Sequence, residues 1–143
     1  MGNPGRWILS LILLMGVGLL LSGCCSSSGP EETGSIKEDP SFAEDIQPIL
    51  SSGCTTGGCH DASASAGLDL RTGQSRQSLI DVRAVQEPEL YRVIPFDAQN
   101  SYLVIKLEGR QNQGSRMPLG GQALGAIQIQ NIRNWINRGA RDN

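Results

Sequence analysis

The spacing of apolar residues divides the chain into a hydrophobic N-terminal segment, a polar stretch and a region with helical periodicity. In residues 41–143, apolar positions recur every three or four residues, as on the buried face of amphipathic helices. The three sets are Phe42, Ile46, Ile49 and Leu50; Tyr102, Leu103, Ile105 and Leu107; and Leu124, Ile127, Ile129, Ile132, Trp135 and Ile136. The region has no strand-like alternation and no internal repeat. We therefore predict a small all-α domain with long loops.

The first helix has a clear start signal and one awkward residue. Ser41 and Glu44 have the spacing of a capping box, and Gly53 provides a stop. Pro48 lies inside this span and cannot donate a helical hydrogen bond. Either the helix is kinked there, or it begins nearer Asp45 with Pro48 in its first turn.

The other boundaries follow from cap residues and glycines. We expect a short helix at 75–82, a helix capped by Asp97 or Asn100 that ends at Gly109, and a last helix at 122–138 followed by Gly139. Small and polar residues predict loops at 54–74 and 110–121.

The N-terminus has the pattern of an export signal. Arg6 precedes an almost entirely apolar run from Trp7 to Leu21, which is short for a membrane span. The run closes with Leu21-Ser22-Gly23-Cys24, which resembles the lipobox of bacterial lipoproteins. That resemblance implies cleavage before Cys24 and a lipid on its sulfur. An ordinary signal peptide with an incidental cysteine and a retained membrane anchor are the alternatives.

These features divide the chain into a signal peptide at 1–23, a lipidated cysteine with a flexible linker at 24–40, and a domain at 41–143. The linker is rich in Ser, Gly, Pro and Glu, so it has little to bury. The residue after the lipidated cysteine is not Asp, and by resemblance to the sorting rule of enteric bacteria this implies the outer membrane. A formal net charge of −2 gives no indication of a nucleic-acid partner.

The rare residues of the domain carry its chemistry. Cys54 and Cys59 are separated by four residues, and His60 follows at once. A cysteine pair ending in Cys-His is the arrangement that attaches haem c, although a two-residue spacer is more usual. A Cys54–Cys59 disulfide is a strong alternative in an oxidising compartment. A zinc site is a weaker alternative, since zinc usually takes four ligands and the domain offers only three, namely two Cys and one His side chain.

Met117 is the one methionine of the chain that lies outside the N-terminal segment. It precedes Pro118 in a polar, glycine-rich loop, which is a poor place for a methionine that only fills the core. Low-spin haem c commonly takes Met as the second axial ligand opposite His. Met117 is therefore a candidate distal ligand.

Together these segments resemble class I-type cytochrome c domains, in particular short bacterial forms such as the planctomycete-type cytochrome c domain. The similar segments are Phe42–Leu50, Cys54 to His60, Gly67-Leu68-Asp69-Leu70, Val93-Ile94-Pro95, Ser101-Tyr102-Leu103, Met117-Pro118 and Ile132–Ala140. The resemblance implies one covalent haem c, with thioethers at Cys54 and Cys59, His60 as proximal ligand and Met117 as distal ligand. It also implies that the first and last helices pack together near Trp135, which we interpret as a core residue rather than a redox residue.

The expected function is one-electron transfer to redox protein partners, by a lipoprotein of the bacterial cell envelope with its domain in the periplasm or at the cell surface. With both axial positions filled, no enzymatic activity is expected. One alternative is a haem-free binding or structural module with a Cys54–Cys59 disulfide. Another is a haem sensor or peroxidase-like enzyme in which Met117 leaves the iron.

Overall fold

Helices connected by long loops make up residues 34–143, the part of the chain that the computed structural model describes. In chain order they are a π-helical turn at Phe42–Ile46, α1 at Gln47–Gly53, a 3-10 turn at Ser65–Gly67, α2 at Ser75–Leu79, α3 at Tyr102–Glu108 and α4 at Ala126–Asn137. Within this span, backbone pairing outside the helices amounts to isolated bridges, such as Ile80 with Val93, and no strand forms. The predicted all-α class is therefore confirmed. The predicted signal peptide and Cys24 lie outside the described residues.

Pro48 explains the unusual start of the first helix. Ser41 is the N-cap, and its hydroxyl accepts a hydrogen bond from the Glu44 amide at 3.3 Å. The chain then makes a π-helical turn before α1 begins at Gln47, which places Pro48 in the first turn of α1, where its missing N–H costs nothing. The predicted cap and the stop at Gly53 are confirmed, and of the two alternatives for Pro48 the structure shows the one that places it in the first turn of the helix.

The core forms where α4 packs against α3 and against the π-helical turn. Trp135 of α4 is 1% exposed and lies on Phe42, with 5.1 Å between the ring centroids. Its indole N–H donates to the Arg141 carbonyl at 2.9 Å, so the one polar atom of the ring is satisfied. The packing of the first and last helical segments around Trp135 agrees with the prediction.

Three helix boundaries differ from those predicted, and the backbone gives the reasons. Helix α2 stops at Leu79 because Ile80 is extended and pairs with Val93. Asp97 accepts from the amide of Asn100 within a turn, so α3 begins later, with Ser101 as its N-cap. Helix α4 begins at Ala126, four residues later than predicted, because Gly125 is extended and serves as its N-cap.

Residues 34–40 are held against α4, although their composition placed them in the flexible linker. The side chain of Asn131 accepts from the Lys37 amide at 2.8 Å and donates to the Ser35 carbonyl at 3.1 Å. Asn134 donates to the Lys37 carbonyl at 2.6 Å. Two asparagines thus satisfy backbone groups of a segment that has few apolar residues of its own. The structured part of the chain therefore begins before residue 41.

None of the helices between residues 34 and 143 combines the length and hydrophobicity that crossing a lipid bilayer requires.

Candidate functional site

The first cysteine of the motif belongs to the core. Cys54 follows α1 directly, and its amide donates to the Leu50 carbonyl at 3.0 Å, so the helix fixes its position. Its side chain is 8% exposed and packs with the core residues, whereas Cys59 is exposed. Both are free thiols. The sulfur of Cys54 therefore lies inside the domain, and that of Cys59 lies at its surface.

The four-residue spacer between the cysteines is folded into a closed turn. The Cys59 amide donates to the Thr56 carbonyl at 3.0 Å, and Gly58 takes a left-handed φ of 82° that allows the turn. The His60 amide then donates to the Cys54 carbonyl at 3.0 Å. This hydrogen bond brings His60 back to the end of α1, so the extra length of the spacer does not separate His60 from Cys54.

The imidazole of His60 is held by backbone carbonyls on one side of the ring. Its Nδ1 lies 3.2 Å from the Ser65 oxygen and 3.3 Å from the Leu68 oxygen. Carbonyl oxygens can only accept, so Nδ1 carries the hydrogen and Nε2 of the neutral ring has a free lone pair. Ligating histidines commonly have their second nitrogen oriented in this way. The arrangement makes Nε2 of His60 a ready metal ligand.

Asp61 ties the motif to the following turn. Its carboxylate accepts from the amides of Gly58 and Ser63 at 3.0 and 2.9 Å, and from the Ser63 hydroxyl at 2.7 Å. These bonds, the one from Gly58 above all, lower the pKa of Asp61 to about 2. Asp61 is thus a structural anion that connects the chain before His60, at Gly58, to the chain after it, at Ser63.

Asp61 should make the stability of the haem-free chain depend on acid pH. Its folded pKa is below its ordinary value of 3.8, so its contribution is complete above about pH 4 and is lost as the pH falls towards 2. We expect Asp61→Asn to unfold at a lower temperature than the wild type at neutral pH, and the two Tm values to converge by pH 2. Calorimetry across this range measures the difference. A gap between the Tm values that stays constant down to pH 2 would contradict the assignment.

Met117 lies in the loop before α4, on the edge of the core. It is half-buried against the core residues, and its amide donates to the Lys106 carbonyl of α3 at 3.0 Å. The side chains of the next residue, Pro118, and of Leu124 lie beside Gly53, at 4.0 and 3.8 Å from the point that a Cβ atom on this glycine would occupy. The structure therefore brings the Met117 loop alongside the end of α1, next to Cys54.

Apolar side chains from two loops flank the motif. Leu68, Met117 and Leu124 are half-buried, and Leu119 is 66% exposed. Leu68 also supplies one of the carbonyls that orient His60. The loops near the motif thus carry apolar side chains that are only partly covered.

Two other features bear on alternative sites. Among residues 34–143, no group of three or more His, Cys, Asp and Glu side chains is placed to hold a metal ion. A shallow depression is lined by Glu38, Asn134, Asn137 and Arg138, and it includes none of the predicted site residues.

The partners that hold His60 were not found by sequence reasoning. Ser65 and Leu68 act through backbone carbonyls, which leave no trace in residue type. Arg92 bonds the same loop, and the sequence does contain an indication of it. Arg92 is the one charged residue in the otherwise largely apolar segment Leu90–Phe96. Such a charge often indicates a buried group with dedicated partners.

The two thiols should differ sharply in reactivity. Burial, and then the nearby Cys59, raise the pKa of Cys54 to about 11, so only ~0.1% of it is thiolate at pH 8. We expect iodoacetamide to modify Cys59 rapidly in the native haem-free chain and to leave Cys54 largely intact, as peptide mass spectrometry would show. The denatured chain is the control, and there both should react. Equal rates in the native state would contradict the burial of Cys54.

Comparison with protein-family models gives no match, and comparisons with curated proteins and with solved structures give no significant match either.

Proposed function

We propose that this protein is a monohaem c-type cytochrome that transfers single electrons. The observation that carries the proposal is the state of His60: its Nδ1 is bonded to two carbonyls, which leaves Nε2 free, and it directly follows Cys59 and returns to Cys54. Bound haem c would supply the one-electron couple. In this proposal the domain has a cytochrome c-like fold of the planctomycete type.

The residues around the motif support a covalent haem. Cys54 and Cys59 would form the thioethers, and neither sulfur is committed to a disulfide. A porphyrin is large and flat, and the partly buried apolar side chains of Leu68, Met117 and Leu124 offer the kind of surface that it would cover. Met117 would be the distal ligand, since its loop already lies beside Cys54.

The roles of the protein would be to hold the haem, to set its potential and to expose one edge to a redox protein partner. If His60 and Met117 both bound the iron, no coordination site would be open to a substrate, so the protein is proposed as a carrier and not as an enzyme. A peroxidase-like or sensing role would require Met117 to leave the iron. In that case the reduced protein would bind carbon monoxide, and an unchanged spectrum would exclude this role.

The decisive experiment is a pyridine haemochrome spectrum of the full chain after denaturation and an acid–acetone wash. The chain is co-expressed with a maturation system that tolerates the longer spacer, and the Cys54→Ser/Cys59→Ser double variant is the matched control. A c-type band in the wild type alone would establish covalent haem. A colourless wild type, made where a control cytochrome matures, would overturn the proposal and favour a haem-free module.

The proposed location is the bacterial cell envelope, most simply the outer membrane, with a lipid on Cys24. One acyl chain binds a bilayer only marginally, and a fully processed lipoprotein has three. We expect Cys24→Ser to remain an uncut precursor that incorporates no labelled fatty acid. Cys25→Ser is the matched control and should be processed. Normal cleavage and acylation of Cys24→Ser would contradict the lipid anchor.

A further inference from the structure

Arg92 is a buried arginine whose hydrogen-bond partners are backbone carbonyls. The residue is 7% exposed, and its guanidinium donates to Ala66 at 2.8 Å, to Gly67 at 3.0 Å and to Ser78 at 2.8 Å. No ion pair among the described residues includes it. Burying a charge is costly unless it is well bonded, so these carbonyls are what stabilise Arg92 in this position.

Two of these carbonyls belong to the loop that orients His60. Ala66 and Gly67 lie between Ser65 and Leu68, whose oxygens hold the imidazole Nδ1. In the four-residue segment 65–68, Arg92 thus bonds the two central carbonyls and His60 bonds the two outer ones. Any movement of residues 66 and 67 must also move the two carbonyls that fix the ring.

Hydrogen bonds within this loop, such as the one from the Leu68 amide to the Ser65 carbonyl at 3.2 Å, accompany an unfavourable backbone conformation. Ala64, Ala66 and Gly67 all have left-handed backbone angles, with φ of 47°, 57° and 67°. Such angles are unfavourable for alanine and persist only where surrounding contacts impose them. The guanidinium supplies such contacts from one side, since its NH1 also bonds Ser78 at the end of α2.

Arg92 is itself firmly placed. Its amide donates to the Val82 carbonyl at 2.7 Å, and its own carbonyl accepts from the Leu103 amide at 2.9 Å, in the first turn of α3. The planar guanidinium can bond several oxygens at once, which a lysine ammonium cannot do with the same geometry. The chain therefore connects α3 to the His60 loop through one rigid side chain.

We propose that Arg92 is a positioning residue that holds the 65–68 loop so that His60 keeps its hydrogen on Nδ1 and presents Nε2 to the iron. The inference rests on the proposed haem site for its purpose. The orientation and tautomer of the ring can nevertheless be measured without haem.

The test uses Arg92→Met and Arg92→Lys in the full chain, made without haem and without a histidine tag. Arg83→Met is the matched control, because Arg83 also bonds two backbone carbonyls, those of Pro88 and Glu89 at 3.0 Å each, but in a loop that does not contact His60. The chain has one histidine, so its ¹⁵N imidazole signals need no further assignment.

At a pH where the ring is neutral, we expect the wild type and Arg83→Met to show the Nδ1–H tautomer. Arg92→Met should shift to a mixture in which Nε2–H is substantially populated, and Arg92→Lys should lie between. Near-ultraviolet circular dichroism checks that each variant is folded, and Arg92→Lys keeps the test valid if Arg92→Met is not. A folded Arg92 variant with the wild-type tautomer would overturn the inference.

The haem-loaded protein gives a second readout that separates positioning from charge. Arg92→Lys keeps the positive charge at this position but loses the planar geometry of the guanidinium, so a positioning role predicts a reduction potential for Arg92→Lys that differs from that of the wild type. A wild-type potential in Arg92→Lys would overturn the role. A wild type without covalent haem would instead overturn the proposed function, and the tautomer measurement would then decide the Arg92 inference alone.

Discussion

Replacing Met117, the proposed distal ligand, with alanine is expected to lower the reduction potential of the haem-loaded protein by on the order of 100 mV, since axial ligands set haem potentials over a range of about 0.8 V. A thioether opposite His raises the potential, and alanine leaves that coordination position without a protein ligand. The variant should also bind carbon monoxide when reduced. Redox titration followed by a carbon monoxide difference spectrum measures both effects.

Leu119→Ala is the matched control for Met117. Leu119 lies two residues away in the same loop and is 66% exposed, so its loss changes the loop but removes no ligand. Its potential and its response to carbon monoxide should match those of the wild type. A Met117→Ala protein that keeps the wild-type potential would remove Met117 from the axial position.

The second large effect is on folding. Trp135→Ala is expected to lower the free energy of unfolding by about 3–5 kcal/mol, the usual range for a buried aromatic truncated to alanine. It removes a side chain that is 1% exposed, its contact with Phe42 and its hydrogen bond to Arg141. Urea denaturation of the haem-free chain, followed by circular dichroism, measures the change.

Phe96→Ala is the comparison for Trp135, because Phe96 is a large aromatic residue that is 75% exposed. Its substitution should change the free energy of unfolding by only about 0.5 kcal/mol. If Trp135→Ala cost no more than Phe96→Ala, the core of the domain would not be where the packing of α4 places it.

The fold class and most helix ends were predictable because they depend on local signals. Ser41 caps the first helix, Gly53 ends α1, and the apolar spacing of α4 identifies the face that carries Trp135. The late starts of α3 and α4 were not predictable. They depend on the turn at Asp97 and on the extended backbone of Gly125, which helix propensity does not encode.

The candidate site was predictable in its side chains and not in its supports. Cys54, Cys59 and His60 are recognisable from their types and order. The Ser65 and Leu68 carbonyls are brought to the ring by a loop with left-handed backbone angles, and the guanidinium of Arg92 bonds the two residues between them. Both arrangements depend on tertiary structure. Composition also placed residues 34–40 in the linker. The sequence does not show that two asparagine side chains on α4 bond the backbone of this segment, so its docking could not be predicted.

The docking of residues 34–40 on α4 would limit how far the domain could lie from the lipid proposed for Cys24. Ser35 and Lys37 are bonded to α4, and Gly34 lies ten residues after Cys24, so ten residues would separate the anchor from the docked segment. Ten residues reach at most about 33–36 Å even when fully extended. With a lipid on Cys24, the domain would stay within about that distance of the bilayer, and its electron-transfer partners would have to lie in the membrane or close to its surface.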